Sequence, residues 1–228
     1  MNRTLFSVSM ITCILFLAVN SSHCFSEEVL FADSFDQGLS ERWELVGLSP
    51  EDYRIREGGL EIRIRKPTAE HAIPMLKVKL PFSTRQSVIA TVEVTVDGQP
   101  LQQGDSAGVC LTYQDRCLFS ARKENHHGYW ILSPGQVEFI GRPGEEGNPG
   151  KYTVRYWPAD EEFGPLRIVV RQEYAYFQVG PSKKKEFKTF FHSAITSHSA
   201  DLGFGLFATG NNDKVERWVR FDHFEVTR

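Results

Sequence analysis

Cysteine, methionine and charge of one sign are all scarce in this sequence, and each shortage narrows what it can do. Its 228 residues include four cysteines and three methionines, and the formal net charge is only −3. A nearly neutral, slightly acidic chain lacks the basic excess of a nucleic-acid binder, and the triplet Lys183–Lys185 reads as a solvated turn. There is no Gly-x-Ser-x-Gly and no strand-to-helix alternation to hold a nucleophilic serine. Internal repeats, coiled-coil heptads and low-complexity tracts are also missing.

The one long apolar run, Leu5 to Val19, follows Met-Asn-Arg and precedes small and polar residues, the order of an export signal. It is shorter than the roughly 20 residues that span a bilayer, so a retained anchor is the weaker reading. Residues 1–26 are therefore expected to be a leader, cleaved after Ser21, Ser22 or Ser26, and 27–228 a single domain. The expected destination is extracytoplasmic, secreted or periplasmic, with no membrane span after cleavage. The leader contains one base, Arg3, and no acid, so its loss moves the formal charge from −3 to −4.

Export leaves Cys110 and Cys117 where disulfides persist. An antiparallel hairpin centred between Tyr113 and Gln114 would set them opposite each other, which predicts a cross-strand disulfide. The competing reading is two free, half-buried thiols; a zinc site lacks a second ligand pair at suitable spacing.

What the sequence has in quantity is period-two alternation. Val88, Ala90, Val92, Val94 and Val96 alternate with Thr91, Glu93 and Thr95, and Leu76, Val78 and Leu80 with Lys77 and Lys79. Turn signals separate such runs, among them Glu57-Gly58-Gly59 and Asp97-Gly98. Many short strands without long helices predict an all-β, antiparallel two-sheet sandwich. Phe187, Phe190, Phe191, Ala194 and Ile195 fit helical and strand spacing about equally. Residues 142–150, rich in Gly, Pro and Glu, read as a long surface loop.

The opening Phe35-Asp36-Gln37-Gly38-Leu39 with Trp43, the turn into Gly59-Leu60-Glu61-Ile62, and the close Gly203 to Ala208 followed by Phe221-Asp222-His223-Phe224-Glu225-Val226 form a recognisable frame. Ala107 to Leu111 and Leu166-Arg167-Ile168 fit its middle. The frame resembles the concanavalin A-like lectin/glucanase jelly rolls, and is most similar to the modules at the carboxy-terminal end of β-xylosidases. The resemblance covers nearly the whole chain after the leader. It implies a jelly roll in which the first and last strands lie side by side, so that Phe35, Trp43, Phe221 and Phe224 close one core. It also raises a structural calcium shared by Asp36 and Asp222, against the plainer reading that each carboxylate caps a turn. No other cofactor is implied.

Fold-level likeness says little about activity. Laminarinase-type hydrolysis on this scaffold needs carboxylates spaced as Glu-x-Asp-x-x-Glu, and no Glu-x-Asp occurs. The expectation is a non-catalytic glycan-binding domain, with a polysaccharide-active enzyme and a surface interaction scaffold as alternatives. Sugars stack on aromatic faces while polar side chains bond their hydroxyls. Parity selects Trp157, which shares a face with Lys151, Thr153 and Arg155. Tyr129 and Trp130 point opposite ways, so one is available, and Tyr174 and Tyr176 lie opposite Phe177. The candidate platforms are Trp157, Trp130, Tyr129, Tyr176 and Trp218, the last beside Asn211-Asn212-Asp213; Arg155, Asn125 and His126 are the candidate polar partners. His126 and His127, adjacent on extended chain, are expected to diverge rather than chelate.

Overall fold

In this computed structural model the described residues are 27–67, 73–80, 82–95, 102–127, 129–134, 136–138, 151–153, 155–157, 164–181, 186–195, 202–212 and 214–228. The side chains of 130, 136–138 and 151–153 are also outside the description. The expected leader, the expected loop over 142–150, Asp97-Gly98 and the lysine triplet all fall outside it. Among the described residues no helix is long and apolar enough to cross a membrane.

The alternating segments become strands: β1 (Val29–Asp33), β2 (Glu44–Val46), β3 (Tyr53–Arg56), β4 (Gly59–Arg63), β5 (Met75–Lys79), β6 (Val88–Thr95), β7 (Ser106–Tyr113), β8 (Arg116–His126), β9 (Tyr129–Ser133), β10 (Gln136–Glu138), β11 (Lys151–Thr153), β12 (Leu166–Arg171), β13 (Tyr174–Val179), β14 (Lys188–Ala194), β15 (Leu202–Thr209) and β16 (Trp218–Thr227). They make an eight-stranded sheet, β14-β13-β12-β6-β16-β4-β3 with β1 also on β16, and a six-stranded sheet, β2-β5-β15-β7-β8-β9. A small β10–β11 pair stands apart. Among the described residues the pairings between these strands are all antiparallel, and the two sheets enclose one large apolar core. This is the sandwich the alternation predicts.

Core position follows parity. Val88, Ala90, Val92 and Val94 are all buried, while Glu93 between them is exposed. The first and last strands do pair, Asp33 opposite Phe224. Trp43 stacks on Phe35 at 6.4 Å and meets Phe224 at 5.1 Å, and Phe221 is fully buried in the same core. The ambiguous Phe190 region is strand, not helix: β14 adds to the edge of β13, with Phe177 opposite Phe191.

One expectation fails in the register. The β7–β8 hairpin turns at Gln114 and Asp115, one residue later than expected, and pairs Tyr113 with Arg116. That turn sets Cys117 opposite Thr112, and a bulge beyond it sets Cys110 opposite Ser120. The two cysteines are diagonal neighbours rather than a facing pair, and both are free thiols, so the expected disulfide is not formed.

Candidate functional site

Strand β8 carries two kinds of residue on its two faces. Ala121, Lys123 and Asn125 are buried and point between the sheets; Lys123 Nζ donates to the Val94 carbonyl at 2.7 Å. Arg122, Glu124 and His126 alternate with them and so point outward. Strand β9 continues this outer face, with His126 opposite Tyr129. Residues 155–157 then extend it, because Leu132 and Tyr156 exchange backbone hydrogen bonds of 2.8 and 2.9 Å. Tyr156 packs on the core, which turns its neighbours Arg155 and Trp157 to the outer side.

The result is an aromatic and cationic patch along one rim of the six-stranded sheet. Tyr129 is 71% exposed and Trp157 57%. The Trp157 ring meets His126 edge-on at 6.3 Å. His126 and His127 do not diverge: their rings are 4.3 Å apart, because His127 takes a positive φ of 53° and leaves the extended conformation that parity assumes. Partial desolvation, Arg155 and His127 together hold His126 below its ordinary pKa, and Glu124 opposes them. At neutral pH this imidazole is therefore uncharged, with one nitrogen able to donate and the other to accept.

Inward from the rim, the outer face is closely packed. Arg122 lies 4.0 Å from Glu124 and donates to Ser106 Oγ at 3.4 Å. Burial lowers its pKa, and the facing acid and thiols raise it. Lys77 reaches across β15 to Asp115 at 2.5 Å and also meets Glu44 at 3.0 Å. These two carboxylates more than offset its desolvation and keep it charged.

The remaining predicted residues are dispersed. Asn125 faces inward and is only 9% exposed, so it is not a rim donor. Trp130 lies opposite Asn125 in register, with its side chain outside the described set. Tyr176 is on the outer face of the other sheet, stacked on His192 at 5.9 Å and beneath Arg171 at 4.8 Å. Its neighbour Tyr174 is 6.4 Å away, and Phe177 is buried as expected. Trp218 is on that face too, covered by Arg54 at 4.0 Å and donating to Glu216 at 2.8 Å. Its expected rim partner Asn212 instead donates to Gln102.

The aspartate pair does not fit a calcium ion. Both Asp222 oxygens are taken by Arg220, at 2.9 and 3.0 Å, which leaves the carboxylate neutralised. Asp36 is exposed beside Gly58. Among the described residues no group of three or more His, Cys, Asp or Glu side chains could hold a metal. Reading the sequence overlooked Arg122, Glu124 and Lys77, although the same parity that selected Trp157 would have put Arg122, Glu124 and His126 on one face.

The family described as the beta xylosidase C-terminal concanavalin A-like domain, GH43_C2, matches residues 32–227. No curated relative matches the sequence. Among solved structures, the fold is similar to the CBM2 module of the evolved Dit of Lactobacillus casei BL23 phage J-1, at 12% identity and a TM-score of 0.61, covering 88% of this chain and 95% of that one. It is also similar to a xylan β-1,4-xylosidase from Bacillus halodurans C-125, at 15% identity and a TM-score of 0.67, covering 86% of this chain and 39% of the enzyme. A Bacteroides ovatus xyloglucan GH43B protein matches at 14% identity and a TM-score of 0.63, covering 90% and 40%. The chain thus spans about 40% of the length of these GH43 proteins.

Proposed function

The chain belongs to the family of β-xylosidase C-terminal concanavalin A-like domains, and from that premise we propose that it is an exported, non-catalytic carbohydrate-binding domain. The observation that carries the reading is the exposed pair Tyr129 and Trp157 beside His126 and Arg155 on one rim. Two open aromatic faces accept the C–H surface of sugar rings, while a neutral imidazole and a guanidinium bond hydroxyls around them. Export follows from the leader-like residues 1–26. Tyr176 and Trp218 are secondary candidates at most, since each is already covered by an arginine.

The test is a glycan-array screen of the purified chain, with and without calcium, followed by titration of the best ligand. Xylan and xyloglucan fragments are the first probes, because solved relatives carry those polymers in their names. Saturable binding is expected to be indifferent to calcium and weakened roughly tenfold or more by Trp157→Ala, the usual loss at an aromatic anchor. No binding by a folded sample, or binding that Trp157→Ala leaves intact, rejects this site.

A further inference from the structure

Away from the aromatic rim, and independent of the glycan reading, the outer face of the six-stranded sheet gathers three sulfurs. Met75 on β5, Cys110 on β7 and Cys117 on β8 join Val46, Phe207 and Ile73 in a small apolar cluster, separate from the main core. The Cys110 thiol donates to Met75 Sδ at 3.7 Å, although β15 lies between their strands. Gly205 of β15 permits the contact: a Cβ there would stand 2.9 Å from Met75 Sδ and 3.0 Å from Cys110 Sγ. Cys117 packs against the same cluster from β8, where its thiol donates to the Phe119 carbonyl at 3.6 Å. The three sulfur-bearing side chains therefore share one cluster.

A second observation points to the same place. Among the described residues, two buried side-chain polar atoms lack a hydrogen-bond partner, Thr112 Oγ1 and Arg122 Nε. Thr112 is the register partner of Cys117, and Arg122 follows two residues after Ser120, the register partner of Cys110, on the same strand. Folded proteins rarely leave buried donors without acceptors. Thiolate sulfurs would give both of these donors something to bond.

We propose that Met75, Cys110 and Cys117 form a three-sulfur site for a soft monovalent metal ion, Cu(I). Thioether and thiolate ligands select that ion, whereas zinc prefers a fourth ligand. The 3.7 Å between Cys110 Sγ and Met75 Sδ suits it, because sulfurs about 2.3 Å from a shared metal in a trigonal plane lie about 4 Å apart. On binding, each thiol releases its proton to solvent, the two thiolates and the thioether lone pair each donate to the metal, and no electron is transferred. Two thiolates and Cu(I) leave one negative charge, which the Arg122 guanidinium balances. The apolar cluster around the sulfurs excludes water from them.

The experiment uses the purified chain with the leader cysteines Cys13 and Cys24 replaced by serine. It is reduced under argon and titrated with Cu(I) held by bathocuproine disulfonate and ascorbate. The chain is expected to withdraw one Cu(I), with X-ray absorption showing three sulfur neighbours. Cys117→Ser should abolish withdrawal; Met75→Leu, which preserves apolar volume, should lower affinity roughly tenfold or more and leave two sulfurs. Circular dichroism melts establish that both variants fold. The site is overturned if the folded chain takes no copper, if Cys117→Ser takes it unchanged, or if copper shows only nitrogen and oxygen neighbours. It is equally overturned if thiol titration in denaturant finds Cys110 and Cys117 already oxidised.

Discussion

Asp33 shows how much a single side chain can organise. Its carboxylate accepts hydrogen bonds from the Phe35 and Ser40 amides and from Trp43 Nε1, so one residue fixes both the loop after β1 and the indole that closes the core. The neighbouring Asp36 is the one that the family likeness singled out, but its part is smaller. A methyl group on Gly58, which has a φ of +70°, would stand 2.5 Å from Asp36 Oδ1. Gly58→Ala is accordingly expected to cost about 1 kcal/mol or more, measured by urea denaturation; an unchanged midpoint would show that the turn adapts freely. At the rim, His126 should titrate below 6.5 in an NMR pH series. Arg155→Gln should raise that value by removing a cation, and an unmoved titration would separate Arg155 from the patch. Because the folded pKa is lowered, the unfolded chain binds this proton more readily. His126 therefore contributes nothing against folding above the unfolded value, and a small penalty grows as pH falls through it towards the folded value.

At the scale of elements, strand faces were legible but partners were not. Parity placed Trp157 outward and Phe177 inward correctly, because side chains alternate strictly along any extended segment. It failed at His127, where a positive φ interrupts the extended chain, and at Cys110 and Cys117, where the hairpin turns one residue later and a bulge beyond it offsets the register further. It was also silent about Asn125, whose inward direction depends on which face of β8 meets the other sheet. Long-range partners left even less trace. Asp105, before β7, and Arg217, before β16, form a buried two-point ion pair at 2.7 and 3.0 Å. Arg217 also donates to the Asn212 and Val215 carbonyls, and Asp105 accepts from the Gln102 amide. The pair thus ties two connections together at one end of the sandwich. Asp105→Ala should leave a buried guanidinium uncompensated and cost about 3–5 kcal/mol, read by chemical denaturation, whereas a loss below about 1 kcal/mol would mean that water reaches the arginine.

For the whole molecule the decisive feature is closure by the chain ends. β16 pairs with β6 along one edge, and on the other with β4 through residues 218–221 and β1 through 224–227. The last strand is therefore central to its sheet, and the fold cannot be completed until it has been made. Phe224, packed between Phe31 and Trp43, should behave as a core residue despite its place near the end of the chain. Phe224→Ala is expected to cost about 3–5 kcal/mol while unfolding remains a single cooperative step. A separate early transition of β1 would show instead that the ends form a detachable flap.

The sequence by itself determined that this chain is a β-sandwich and which residues of a strand share a face, since alternation and turn chemistry are local properties of the backbone. Tertiary structure decided which strands are neighbours and in what register. Those choices brought Trp157 to His126, Met75 across Gly205 to Cys110, and Asp105 to Arg217. Each of these meetings depends on packing between segments far apart in the chain, which is not written in the residues on one side alone.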